Sequence, residues 1–484
     1  MSESRAPRGL LLVLCATGIV VTIMHTLIVP LVPVLPEILH SNPTDAYWAL
    51  TSTLLAAAIL TPIAGRLGDM FGKKLILIGC LTSLAIGSVI CAFADTVPVM
   101  VTGRALQGAA SGAIALGISI LRDELPPQKV GPAVALMSSS MGLGGAFGMP
   151  IAAAVADRFD WHVLFWGSAA LSVLCLALVV FLVPESPVRT PGRFDVVGSL
   201  GLVVGLTATM LTITRGQEWG WASVEVLGLV GVAVVVFPLW GWHQMRVREP
   251  LVDLRVSAHP QVLFTNLASI GVGFALYGTS LLFTQILMSP EASGYGLGLD
   301  MVEAGLVLAP GGFAMFFAAR AAAKVTERHG ARISLLGGIV VIAAGYLLGV
   351  IAHDQLWQVI TINILVSIGI GIAFAAMPAL IMGAVPITET AAANGLNALM
   401  RSLGTTSSSA VFSAVLAGST ILVAGHAMPS GEAIETSLII GLCAALVALV
   451  FGFLLPKASA PIGEHGHGGV VPAEAGDRAA ATRA

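Results

Sequence analysis

Charge is what this sequence lacks most. Asp, Glu, Lys and Arg make up only 10% of its 484 residues, against 56% hydrophobic residues and a mean hydropathy of +0.93. A soluble domain has no core large enough to hide so much apolar surface, so the expected solvent is a lipid bilayer. The net charge of -3 is small and the basic residues are dispersed, which excludes a nucleic-acid-binding stripe. Cysteine is scarce and odd in number: Cys15, Cys80, Cys91, Cys175 and Cys443 all lie inside apolar runs, so they read as packed thiols and not as disulfides or metal ligands. His465 and His467 have no partner at metal-ligand spacing, and no metal is expected. There is no Gly-x-x-x-x-Gly-Lys-Ser/Thr phosphate loop, so ATP is not the expected energy source and no cofactor is called for. No catalytic constellation and no loop long enough for a soluble domain are present, which speaks against an enzyme or a sensor.

What is present is a series of fourteen apolar runs, at approximately 10–36, 48–67, 75–94, 97–121, 131–156, 161–183, 194–214, 223–242, 262–288, 301–323, 333–352, 357–382, 391–423 and 437–455. Arg5 and Arg8 before the first run mimic a signal peptide, but the run continues without a small-residue cleavage site and reads as an uncleaved helix. Of the 23 basic residues, Arg158 and Arg215 fall on one side and Arg104 and Arg401 fall within runs; all the others fall on the opposite side. That bias predicts a multi-pass plasma-membrane protein with both termini cytoplasmic. The Ala-, Gly- and Pro-rich stretch 457–484 is expected to be a disordered cytoplasmic tail.

The most informative stretch is Gly65-Arg66-Leu67-Gly68-Asp69-Met70-Phe71-Gly72-Lys73-Lys74, a short charged segment between the second and third runs. Gly65 would let a neighbouring helix approach, Asp69 could accept backbone N–H bonds at a helix N-terminus, and Gly72 would permit a reversal. The bland alternative is a basic loop that only sets topology. The stretch resembles the loop between the second and third helices of major facilitator superfamily transporters. It is echoed after the tenth run by 323–332, where Glu327 answers Asp69, Gly330 answers Gly72 and Arg332 answers Lys74. The resemblance implies an all-α polytopic protein with two pseudo-symmetric six-helix halves, here 1–190 and 259–456, separated by two additional helices in 191–258. It also makes Gly65, Arg66, Asp69, Gly72, Lys73, Glu327, Gly330 and Arg332 candidates for a cytoplasmic gate.

Further passages are similar to the fourteen-helix drug:proton antiporters of that superfamily: Phe194-Asp195-Val196-Val197-Gly198, the Gly220-Trp221 pair, Glu249–Leu254, and Asn394–Gly404. Gly103–Gly112 resembles the family's Arg-x-x-Gln-Gly motif, which marks Arg104 as a proton-coupling candidate and Gln107 beside it as a candidate for the substrate cavity; the alternative is an arginine snorkelling to the interface. Gly142–Ala154 resembles the antiporter motif. It keeps Gly144, Gly148 and Pro150, but Met149 is inserted before the proline and alanines stand at the final glycines. These glycines serve either that motif or plain helix packing.

The first run departs from the resemblance. Where those antiporters carry an aspartate, this chain has Met24 or Leu27, depending on which proline anchors the comparison, and His25 is the titratable group at that depth. His25 is either a proton carrier or substrate contact, or a neutral histidine bonded to a carbonyl freed by Pro30. In the second half Asn266, Tyr277, Asn363, Asn397 and Arg401 either line a cavity or bond between helices. No acidic residue occurs mid-run, which argues against tight binding of cations by charge pairing. The resemblance implies export of hydrophobic drugs or toxic small molecules by a monomer in a lipid bilayer, with protons as counter-ion and alternating access. The missing acid keeps open a second reading, an exporter of one natural product, lipid or metabolite acting as a uniporter.

Overall fold

Glycine and proline set where the apolar runs stop. A computed structural model describes residues 9–28, 31, 35–41, 45, 48–189, 192–423 and 426–456. It has fourteen long helices: α1 Leu10–Thr26, α2 Trp48–Phe71, α3 Lys73–Cys91, α4 Val97–Glu124, α5 Pro127–Arg158, α6 His162–Leu182 and α7 Val196–Trp219. They continue as α8 Val224–Arg246, α9 Pro260–Met288, α10 Met301–His329, α11 Ala331–Ile351, α12 Leu356–Met382, α13 Thr390–Gly418 and α14 Gly431–Leu454. A two-stranded antiparallel hairpin, Thr420–Val423 with His426–Pro429, joins α13 to α14. The tail at 457–484 lies outside the described residues.

Three expectations about boundaries change. The run 391–423 was expected to be one span, but α13 ends at Gly418 and Thr420–Val423 is a strand of the hairpin. The first run was expected to be helical over 10–36, but α1 ends at Thr26 and a short helix follows at Leu35–Ile38. Three prolines at 30, 33 and 36 each remove a donor, so the ladder cannot continue. The charged stretch from Gly65 is not a loop of ten residues. It is helical through Phe71, and Gly72 alone makes the break, at φ 119°. Gly330 does the same between α10 and α11, at φ 89°. A residue with a Cβ is strained there, so both turns need glycine.

Twelve of the fourteen helices are long and apolar enough to cross a bilayer. The exceptions are α1, which is 17 residues long, and α13, which is rich in Asn, Ser and Thr; both pack inside the bundle. One apolar core is built almost wholly from α1–α6 and a second from α9–α14. They meet along two seams, α2 against α13 and α5 against α10. The α7/α8 pair leans on the first seam through Leu202 and Leu206, which join Ala58, Ile59 and Leu399 in a smaller cluster. α8 is mostly exposed, with Val234 and Leu239 among its outward residues. On a chain this apolar, such a surface faces lipid.

Candidate functional site

Lipid tails are as apolar as leucine, so helices in a bilayer are joined by close packing and by polar contacts. The α5/α10 seam uses packing. A Cβ on Gly142 would lie 2.9 Å from the Met315 side chain, and one on Gly305 would lie 3.4 Å from Pro150. Phe147 meets Phe313 edge to face at 5.2 Å, and Ala135 nests among Ala319, Ala322 and Ala323. Gly144 and Gly148 face the other way, onto Ile19, Thr22, Ile23 and Thr26 of α1. Within α5, then, Pro150 serves the seam, and Gly144 and Gly148 serve packing inside the first half.

The α2/α13 seam adds charge at the end of the bundle where Gly72 lies. Gly65 admits α13 so closely that a Cβ would lie 2.5 Å from the carbonyl oxygen of Ala391. One turn on, the buried Asp69 accepts a bond of 2.9 Å from the backbone N–H of Ala392, in the first turn of α13. A helix N-terminus has unpaired N–H groups and a positive dipole end, so a carboxylate is the natural occupant. Behind it, Lys73 is fully buried, 3.6 Å from Asp69 and 2.5 Å from Asp123, and Ser186 donates to the same Asp123 oxygen. Arg122 reaches across the seam to the carbonyl of Met382 at 2.9 Å, to that of Val385 at 3.4 Å and to the Thr390 hydroxyl. Arg66 is buried in the same seam, near Glu389. Burial pushes the Glu389 carboxyl above its usual range, Asp253 adds to this, and Arg66 opposes it.

The echo of this stretch behaves differently. Glu327 is exposed and makes no hydrogen bond or ion pair among the described residues. Arg332 donates to the carbonyl of Phe453 at 2.9 Å, which ties it to α14 of its own half. Glu327, Gly330 and Arg332 thus repeat the turn but not the cross-seam contact. Arg122, Asp123, Ser186 and Glu389 were not singled out from sequence; at run ends they look like topology signals. Lys73, expected to stay in water, is instead fully buried against Asp123, which only the fold reveals.

Arg104 is fully buried. Its Nε donates to the carbonyl of Ala49 at 3.1 Å, and its Nη1 donates to the carbonyl of Met24 at 2.9 Å and to Gln107 Oε1 at 2.7 Å. Gln107 in turn donates to Ser88 at 2.8 Å. An arginine within a span costs up to about 2.5–3.5 kcal/mol on insertion scales, and a hydrogen bond to a charged group contributes about 1.5–3 kcal/mol, so the three acceptors on Nε and Nη1 offset that cost, while Nη2 is buried with no hydrogen-bond partner among the described residues. The alternative of an arginine snorkelling to the interface is not what the geometry has. Arg104 instead clamps α1 and α2 onto α4, gripping α1 at the residue before His25.

His25 Nε2 lies 2.9 Å from the Ser111 hydroxyl. Ser111 ends a single 3-10 turn, Ala109–Ser111, in the middle of α4. Pro30 lies outside the described residues, and the partner found for His25 is a side chain of another helix. The ring is only partly buried, unlike Arg104.

In the second half, Asn397 donates to Asn266 Oδ1 at 3.0 Å and to Ser269 at 2.6 Å, and its own carbonyl accepts from Arg401 Nη1 at 3.3 Å. The Arg401 guanidinium lies 4.8 Å above the Phe374 ring. Asn363 donates to the carbonyl of Leu308 at 3.0 Å, and Tyr277 accepts from Ser409 at 3.4 Å. Asn266, Asn397 and Arg401 are therefore brought into one network, while Asn363 ties α12 to α10 and Tyr277 joins α9 to α13 outside that network. Every carboxylate in the fourteen helices lies within five residues of a helix end. Arg401 is left with one long hydrogen bond and one ring contact.

The family model described as Major Facilitator Superfamily matches residues 14–409. Among curated proteins the chain is 25% identical over 418 residues to Multidrug resistance protein Stp of Mycobacterium tuberculosis (strain CDC 1551 / Oshkosh), covering 85% of this chain and 76% of the relative. It is 25% identical over 377 residues to Multidrug resistance protein 3 of Bacillus subtilis (strain 168), covering 76% and 72%. To the Tetracenomycin C resistance and export protein of Streptomyces glaucescens it is 26% identical over 334 residues, covering 68% and 61%. Among solved structures, the human organic anion transporter MFSD10 (TETRAN) superposes with a TM-score of 0.64 at 14% identity, covering 93% of this chain and 99% of that one, a likeness of fold.

Proposed function

The chain belongs to the Major Facilitator Superfamily of membrane transporters, and we propose that it exports hydrophobic drugs or toxic small molecules by alternating access with proton antiport. The observation that carries this reading is the charged latch at the Asp69 end of the α2/α13 seam. A bundle closed at one end by a few specific polar bonds, with its other seam made of small residues, can rock about the packed seam once the latch releases. The name of the S. glaucescens relative, a resistance and export protein, supports the direction of transport, and those from M. tuberculosis and B. subtilis, multidrug resistance proteins, support the substrate class.

In this reading the halves are 1–190 and 259–456, the α7/α8 pair belongs to the linker 191–258, and the protein acts as a monomer in the plasma membrane. Both termini and the latch are cytoplasmic. Substrate enters when the latch opens and leaves on the opposite side when it closes. His25 with Ser111 is the proton site, and Arg104 positions it by fixing the carbonyl of Met24. Glu327 takes no part in the latch.

Purified protein in liposomes with an imposed pH gradient tests this, with a lipophilic fluorophore and internal pH followed together. Fluorophore movement tied to proton counterflow is the expected result, and His25→Ala uncouples the two. Efflux with no proton movement and no sensitivity to an uncoupler favours the uniporter reading. Folded protein that moves none of a panel of lipophilic compounds overturns the exporter.

A further inference from the structure

Two arginines stand inside the bundle away from any carboxylate, and they differ in one respect. Arg104 is sealed: three acceptors serve its Nε and Nη1, and its unpaired Nη2 is closed off from open space. Arg401 is only partly buried, and its Nε and Nη2 have no acceptor among the described residues and are not sealed from open space. It stands eleven residues from the start of α13, about 16 Å along the helix axis, which is close to the middle of a hydrocarbon core of about 30 Å. An accessible cation at that depth faces either a bundle interior or a water-filled cavity.

Arg401 is also held still. Asn397, one turn before it, accepts from Nη1, and both bonds made by the Asn397 amide nitrogen go to α9, at Asn266 and Ser269. Phe374 of α12 supports one face of the guanidinium. A planar fork bonded to Asn397 and backed by the Phe374 ring, with free N–H groups at mid-depth and no carboxylate in reach among the described residues, has the form of a receptor for a planar oxyanion. The same surroundings repel an ammonium group.

From this we infer that Arg401 binds the anionic group of the transported compound, so that the substrates are hydrophobic organic acids: a carboxylate or acidic enol on a largely apolar body. The inference rests on the exporter reading above and adds the substrate class. Asn397, Asn266 and Ser269 are positioning residues that hold the fork.

The test uses three compounds with one ring system and three charges: 9-anthracenecarboxylate, 9-anthracenemethanol and 9-anthracenemethylammonium. Binding to the purified full-length protein is read by fluorescence, and transport is read in proteoliposomes. The expected order is carboxylate, then alcohol, then ammonium, with at least tenfold between the first and second. In Arg401→Gln the carboxylate-to-alcohol affinity ratio falls at least tenfold, and Arg401→Lys, which keeps the charge but not the fork, restores part of it. Should Arg401→Gln fail to fold, Asn397→Leu, which frees the fork without removing its charge, is expected to lower the same ratio about threefold. Ammonium bound as well as or better than carboxylate, or an unchanged ratio in folded Arg401→Gln, overturns the inference while leaving the exporter intact. Binding of none of the three also overturns it. The exporter reading is judged separately, by efflux of neutral lipophilic compounds.

Discussion

The two seams between the halves are related by the internal repeat, yet they are closed by different forces. Along α5/α10, glycine and alanine bring backbones together and the contact extends past Pro150 to Gly305. Such a seam is worth little unless the surfaces fit, and it tolerates rolling far better than insertion of volume. Along α2/α13 the seam is joined by Asp69 to the N-terminus of α13 and by Arg122 to carbonyls at and just beyond the end of α12. Bonds of this kind are strong when made and absent when the partner moves a few ångströms. In the proposed cycle, one seam serves as a bearing and the other as a catch.

The largest effect is expected from spoiling the bearing. Gly312 lies against Ala146 and the carbonyl of Gly142, so Gly312→Leu forces side-chain bulk against backbone. Overpacking costs about 1–3 kcal/mol even where side chains can shift. Loss of the monodisperse species on size-exclusion chromatography is the expected outcome, and a normal elution profile with full transport would mean the seam is loose. Releasing the catch is expected to leave the protein folded. Asp69→Asn keeps an acceptor but loses the charge, worth about 1 kcal/mol, or roughly a fivefold shift between closed and open. In an Ala392→Cys background it should raise the labelling rate by an impermeant maleimide by about that factor; an unchanged rate removes Asp69 from the catch.

A smaller effect is expected at the α7/α8 pair, which leans on the catch seam. Asp195 is buried, which by itself raises a carboxyl pKa. Hydrogen bonds from His243, the Gly198 N–H and Gln244 outweigh that and hold it below its usual range. A depressed pKa stabilises the fold above the unfolded value of ~3.9 and loses that contribution as pH falls through the native one. The difference in thermal stability between wild type and Asp195→Asn should thus be steady from about pH 5 to 8 and shrink below about pH 4. The smallest effect is expected for Glu327→Gln, within twofold of wild type in both labelling and transport, since its carboxylate touches nothing across the seam. A response as large as that of Asp69→Asn would restore the symmetry that the structure breaks.

The paired turns were legible because positive φ is a local demand that glycine meets, so Gly72 and Gly330 could be matched from spacing alone. Arg104 and Arg401 were legible because a charge inside an apolar run has few places to go. Their different fates were not, because a guanidinium is satisfied by carbonyls as readily as by carboxylates, and backbone acceptors leave no mark in a sequence. Ser111 was hidden for a similar reason: a serine in a small-residue run reads as packing until a histidine from another helix is placed beside it. Arg122 was hidden by its position at a run end.

From the residues alone came the apolar runs, their breaks, the repeated turn and the absence of acid at mid-depth, since hydropathy and backbone preference act over a few neighbours. Only the tertiary structure decided which of two similar carboxylates is buried at a helix N-terminus. Asp69 finds its donor 323 residues away in the chain. Glu327, with the same turn after it, faces open space. The worth of a charge depends on the groups that surround it, and those are chosen by how helices pack.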